Sequence, residues 1–231
     1  MLDDYSEWKG WSAAEFGRHT VHDDRYFRWH VGRALPSSAQ ALQVLELGFG
    51  NGRFLGWCRD SGHGVVGVET NPRLREIAYA QGYEAAASVD ELEATRRFDL
   101  IAAFDVMEHI EAERMPEFLR QLASRLKPGG RMLLRFPNGE SPFGLSMQQG
   151  DLTHRQALGV GKFKQLSAAC GLQLLHSGEG LPWQALPRSR ALGALFWWSL
   201  RKVFERLLRK MYHLPRELDL SANQLVVLGQ A

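Results

Sequence analysis

Residues 44–54 read VLELGFGNGRF: an apolar run closing on a carboxylate, then glycines at 48, 50 and 52, then the start of a helical pattern. Alternate glycines behind a strand-like run mark a chain that turns sharply out of a strand and into a helix, with its backbone amides left uncovered. The same sequence of elements recurs downstream. Apolar runs of four to six residues (ALQVLEL, VVGVE, YEAAA, FDLIAAF, RMLLRF) alternate with helical patterns (GRFLGWCRDSG, NPRLREIAYAQG, MPEFLRQLASRLKPGG). In the last of these, Pro116 suits a first helical turn, Gly129 falls past the end, and Phe118, Leu119, Leu122 and Leu126 share one face. Such alternation predicts parallel strands joined by right-handed helical crossovers, an α/β doubly wound sheet. Two later runs, LQLLHSG and NQLVVLG, are expected to close it as a hairpin-like pair interrupted by a long insertion.

The whole chain, 1–231, is expected to form a single domain with two appendages. Residues 1–38 include DDRYFRWHVGRAL, an amphipathic helix that serves as a lid or packs on the sheet edge. Residues 188–213 hold seven basic side chains against one acid, a net of +6, which leaves −4 for the remainder of a chain whose total is +2. Basicity is thus confined to one late segment. Cys58 and Cys170 are far apart and lack metal-type spacing, which argues against a disulfide framework or zinc site and for a reducing, cytoplasmic setting. The start, MLDDYSEWKGW, has no apolar signal region, and no run of about 18 apolar residues offers a membrane span.

The glycine spacing narrows the ligand. A dinucleotide loop of the form G-x-G-x-x-G needs its third glycine at 53, where this chain has Arg53. Glu46, at the carboxyl end of the first strand, repels phosphate and suits a ligand carrying an ammonium or sulfonium group. Glu69, ending the second strand about twenty residues on, is placed to accept hydrogen bonds from ribose hydroxyls. Together these describe an adenosine-type nucleoside without a pyrophosphate.

At these residues the chain resembles the class I S-adenosylmethionine-dependent methyltransferases. LELGFGNG is similar to that family's first motif, VVGVETN to its second, FDLIAAFDVMEHI to its fourth-strand motif, and LKPGGRMLLRFPN to the segment entering strand five. The resemblance covers roughly residues 40 to 180 and the last strand. It implies a Rossmann-like sheet of seven strands, order 3-2-1-4-5-7-6, the last antiparallel. It also implies S-adenosyl-L-methionine as cofactor and S-adenosyl-L-homocysteine as product. Glu46 is then expected near the methionine portion over the loop of Gly48, Phe49, Gly50 and Gly52, with Glu69 and Thr70 at the ribose. Ser88 or Val89 is expected beside the adenine, and Phe104 and Asp105 on the methionine side.

Methyl transfer from a sulfonium asks the protein to align donor and acceptor and exclude water, and a hydroxyl acceptor also needs a base. His154, in QGDLTHRQALGVG, is the first candidate; the competing reading is a loop-bracing bond to Asp151 or Thr153. His109, in DVMEHI, is the second, with a turn-fixing role as its alternative. No metal site is expected, because Glu108 and His109, adjacent on a helix start after Asp105, diverge by about 100°. Thr153 and Gln156 offer a capping box.

The stretch FPNGESPFGLSMQQGDLTHR resembles a subgroup of bacterial polysaccharide and lipopolysaccharide methyltransferases, which implies a sugar hydroxyl of a glycan precursor as acceptor, with Asn138 and Asp151 among its contacts. A quinone precursor or other small hydroxylated metabolite is the alternative acceptor, and a non-catalytic cofactor-binding scaffold the alternative class. The 188–213 helix, with an apolar stripe and basic flanks, suits an anionic membrane surface; a stripe packed on the sheet or on a second copy is the competing reading. Its aromatic residues lie with the apolar stripe, which argues against nucleic acid.

Overall fold

The computed structural model describes residues 11–35, 40–178, 188–215 and 219–231, with the side chains of 188–191 outside the description. Of the expected N-terminal cover, residues 1–10 and 36–38 therefore lie outside the described residues.

Seven strands form one sheet: β1 (Gln43–Leu47), β2 (Gly64–Val68), β3 (Glu84–Ala86), β4 (Phe98–Phe104), β5 (Leu126–Pro137), β6 (Leu172–Gly178) and β7 (Asn223–Gln230). Their order is β3-β2-β1-β4-β5-β7-β6. All neighbours are parallel except β7, which runs antiparallel to both β5 and β6. This is the order and polarity expected from the motifs. The central strands read as near-continuous apolar runs because helices cover both faces. Leu45, Val66, Leu100, Ile101, Leu133 and Leu134 are fully buried, each contributing about 1.5–3 kcal/mol by removal from water.

The helices are α1 (Val21–Ala34), α2 (Arg53–Asp60), α3 (Pro72–Ala80), α4 (Met115–Ser124), α5 (Leu145–Gln149), α6 (Val160–Ala169) and α7 (Arg188–Met211). Helix α1 starts at a capping box: Thr20 Oγ1 accepts from Asp23 N at 3.2 Å, and the Asp23 carboxylate accepts from Thr20 N at 2.8 Å. Its Phe27, Val31 and Ala34 are buried on one face of the sheet with Phe54 and Trp57 of α2. Helix α4 has Pro116 in its first turn as expected, yet it ends at Ser124. The LKPGG segment belongs to β5 instead, and its ladder with β4 shifts register between Phe98 and Leu100. Pro128 bars a continuing helix, and Gly129 supplies φ 80° within the irregular strand start, not in a helix cap.

Candidate active site

Glycines 48, 50 and 52 all have positive φ (62°, 52° and 70°), a backbone path that L side chains rarely follow. A Cβ at Gly48 would meet Val106 Cγ2 at 2.5 Å, so the loop abuts the turn that leaves β4. The segment before α1 lies over the same loop. Gly17 N donates to Asn51 O at 2.9 Å, Phe16 packs edge-on to Phe49 and Tyr83, and Trp11 sits where a Cβ on Gly50 would touch it at 2.8 Å. Phe49 itself points into the core and closes on Gly67, so only its backbone is offered to a ligand.

Glu46 is 4% exposed on the central strand, and its Oε2 has no hydrogen-bond partner. Burial, reinforced by the charge of Glu69, pushes its carboxyl well above the usual carboxylate range. A cation alongside would reverse that preference. Glu69 caps the edge of the loop: one carboxylate oxygen accepts from Gly50 N at 3.2 Å, the other from Asn71 N at 3.0 Å and from the hydroxyl of the exposed Thr70 at 3.4 Å. The glycine amides are themselves engaged, Gly48 N with Val68 O at 2.7 Å, Gly50 N with Glu69 and Gly52 N with Phe49 O at 2.8 Å, so the turn offers close backbone approach and not free donors. With an orphaned buried carboxylate oxygen at Glu46 and an acid at the end of β2, these residues fit the S-adenosyl group, which Glu46, the loop backbone and Glu69 would hold.

At the exit of β4 the chain departs from a plain helix start. Asp105 has φ 55° and forms an ion pair with Arg135 of β5. Met107–His109 make a single 3₁₀ turn. Onto it folds the loop after α5: Arg155 N and Gln156 N donate to the backbone oxygen of Glu108 at 2.8 and 3.3 Å. This brings His154 to Glu108, Nε2 to Oε1 at 3.9 Å, and sets its ring 4.8 Å from that of His109. The divergence expected of Glu108 and His109 is thereby corrected. Ligand-capable atoms of Glu108, His109 and His154 lie within 4.8 Å of one another, because a tight turn replaces the helix and the third group arrives from a distant loop. One carboxylate and two imidazoles form a donor set that a divalent transition metal accepts.

The tautomers of both histidines follow from their partners. His154 Nδ1 is 2.9 Å from the carbonyl of Gln148, which only accepts, so Nδ1 carries the proton and Nε2 is the basic nitrogen. Thr153 Oγ1 donates to Asp151 Oδ1 at 2.5 Å and therefore accepts from His109 Nδ1 at 3.0 Å. An Asp151–Thr153–His109 chain thus orients the second ring. Thr153 braces His109 and not His154, and no capping box forms with Gln156, whose amide donates to Ile110 O at 2.7 Å. Glu108 is fully buried with both carboxylate oxygens unpartnered. Burial first, then the negative charge of Asp105, pushes its carboxyl up to about 8.

Other expected contacts fall elsewhere. Asn138 is fully buried, donates to Asp219 O and Ser221 O at 2.8 and 3.1 Å, and accepts from Glu140 N at 3.1 Å. Its amide braces the turn after β5 and is not available to an acceptor. Val89 lies in the core, which leaves its backbone alone to face an adenine, while the half-buried Ser88 precedes it. Phe104 faces the face covered by α1, against Tyr26, Phe27 and His30. Tyr26 belongs to the aromatic group expected on this helix, whereas His30 did not stand out in the sequence, since an aromatic-rich helix reads equally as core.

A seven-stranded sheet in this order, with a glycine turn after its central strand, is the architecture that the resemblance to methyltransferases implies. The family description of a methyltransferase domain matches residues 19–196. The chain belongs to that family. Among curated relatives, a ubiquinone biosynthesis O-methyltransferase of Methylobacterium nodulans is 32% identical over 111 residues, covering 44% of each chain. One from Azorhizobium caulinodans is 28% identical over 125 residues, covering 51% of this chain and 45% of that one. The chain therefore spans less than half the length of these relatives. Three solved structures share the fold. A SAM-dependent methyltransferase of Archaeoglobus fulgidus has TM-score 0.61, 18% identity, and coverage of 89% of this chain and 93% of that one. A TehB-like SAM-dependent methyltransferase of Corynebacterium glutamicum has TM-score 0.60, 17% identity, and coverage of 100% and 97%. The Burkholderia thailandensis 1,6-didemethyltoxoflavin-N1-methyltransferase, solved with S-adenosylhomocysteine, has TM-score 0.57, 17% identity, and coverage of 98% and 83%.

Proposed function

We propose that this chain O-methylates a small hydroxylated aromatic acceptor of the quinone-precursor type, with His154 as the base. The observation that carries the reading is the convergence of two tautomer-locked imidazoles on the turn that abuts the glycine loop. S-adenosylmethionine, when bound, supplies a methyl group on a cationic sulfur. Glu46 answers that positive charge, and Glu69 holds the ribose. His154 Nε2 receives the hydroxyl proton as the oxygen takes the methyl, and His109, aimed by Thr153, orients the acceptor. His154, at 8% side-chain exposure, works in a site from which water is largely excluded, so its attraction to a developing anion is weakly screened.

The acceptor class draws on the curated relatives that carry a quinone name over part of this chain. A sugar hydroxyl is the second reading. It rests on the Thr-His loop, where His154 N donates to the Asp151 backbone oxygen at 3.3 Å, but loses the Asn138 contact it expected. The test is release of S-adenosylhomocysteine by the purified protein with hydroxylated aromatics, sugar nucleotides and glycan lipid precursors. Turnover on aromatics alone supports the proposal; turnover on sugars alone overturns it. Repeating the assay with chelator separates two uses of the cluster. Loss of turnover, restored by a divalent cation, assigns Glu108, His109 and His154 to metal binding, whereas unchanged turnover assigns His154 to base catalysis.

A further inference from the structure

Helix α7 carries its apolar face outward. At about 100° per residue, Leu192, Phe196, Trp197, Leu200, Val203, Phe204, Leu207 and Met211 fall within an arc of about 140°. All of them are exposed, Leu192 at 80% and Trp197 at 67%. Glu205 stands on the opposite arc, with 2% side-chain exposure. Around it gather Arg201 at 2.8 Å, Lys202 at 2.9 Å and Arg209 at 3.7 Å, and Arg201 reaches Asp219, just ahead of β7, at 4.0 Å. The charged side is therefore turned in and pinned. An ordinary surface helix does the reverse, and an apolar patch of this extent marks an interaction surface.

The charges identify the partner. Arg206 and Lys210 are exposed along one edge of the apolar arc, and with Arg209 and Leu214 they line a shallow hollow. The only acid between residues 188 and 213 is Glu205, and it is already paired with three cations. A second copy of the helix could offer no acid to the edge cations, whereas a bilayer with anionic headgroups offers both an apolar interior and negative charge. The remainder of the chain, at −4, is repelled by such a surface, so attraction is confined to this helix. No described helix is long and apolar enough to cross a membrane, so the geometry is that of a helix lying in the interface plane.

We infer that α7 docks this protein on an anionic phospholipid bilayer. Its apolar arc sinks into the headgroup boundary, Trp197 sits at the interface, and Arg206 and Lys210 meet lipid phosphates. This rests on α7 alone and is independent of the acceptor.

The test is co-flotation of the full chain with phosphatidylcholine vesicles and with vesicles that also contain phosphatidylglycerol. The expected result is binding to the mixed vesicles and little to phosphatidylcholine alone. Trp197→Ser with Phe204→Ser should lower vesicle affinity by about tenfold or more at unchanged helix content by circular dichroism. Arg206→Gln with Lys210→Gln should weaken binding most at low salt. Failure of the unaltered chain to bind mixed vesicles overturns the inference. So does a concentration-dependent dimer that the serine variant abolishes while vesicle binding persists, since that assigns the face to a second copy.

Discussion

The glycine turn after β1 and the histidine cluster beyond β4 adjoin where Gly48 abuts Val106, yet they are built in opposite ways. The turn is local. Its three glycines, Glu46 and the acid at the next strand end sit within 24 residues, and each conformation follows from residue type. The cluster is assembled from a 3₁₀ turn and a loop 44 residues away, held by backbone bonds from Arg155 and Gln156 to Glu108. The turn supplies fixed backbone groups and one uncompensated carboxylate. The cluster holds two imidazoles whose ring protons are located by a carbonyl and a threonine hydroxyl. On the proposed function, binding falls to the local half and proton handling to the long-range half.

The sharpest break of this division is His154→Ala. It should lower kcat by about a thousandfold, near 4 kcal/mol, while leaving cofactor affinity within about twofold. Isothermal titration with S-adenosylhomocysteine beside steady-state kinetics reads both; a parallel loss of cofactor affinity would merge the two halves.

A stability effect comes next. His30, fully buried under Phe104, is held at about 4 by its burial, with Arg135 adding to the effect and the bond to Tyr26 O opposing it. Its unfolded value lies near 6.5, so the unfolded chain takes up the proton first as pH falls. Stability is then full above about pH 6.5 and declines towards pH 4 by about 3 kcal/mol. Urea midpoints across that range should show this slope in the unaltered chain and a flatter one in His30→Gln.

On the binding side, Glu46→Gln should raise the Kd for S-adenosylmethionine by about 30-fold, near 2 kcal/mol, because an amide cannot answer the sulfonium charge. The change for the neutral sulfur of S-adenosylhomocysteine should be smaller, and equal losses for both ligands would show that Glu46 does not read charge.

The smallest effect is expected at Thr153→Val, which removes the hydroxyl that accepts from His109 Nδ1 at 3.0 Å. The backbone carbonyl of residue 153, 3.3 Å from the same nitrogen, stays in place, so we expect kcat to fall about tenfold with little change in cofactor Kd. Serine at this position should restore most of the rate, whereas serine as poor as valine would point to packing and not to the hydroxyl.

The alternation of strands and helices, the glycine turn, the acids at its rim and the absence of dinucleotide spacing were legible in the chain, while the strand order came from the family resemblance of its motifs. These depend on interactions a few residues apart: apolar periodicity, the φ freedom of glycine, and the fixed period of a βα unit. The pairing of β6 with β7 across the α7 insertion was legible too, as two apolar runs that read like an interrupted hairpin. Three things were decided by tertiary structure. Asn138 became a buried brace because β7's leading loop met it with carbonyls. Glu108, His109 and His154 met because a loop folded back onto a 3₁₀ turn, against the divergence that helical spacing implied. The outward aspect of α7 goes with the burial of Glu205 and the reach of Arg201 to Asp219 ahead of β7, a choice that an amphipathic pattern leaves open because it defines two faces and not which one turns inward.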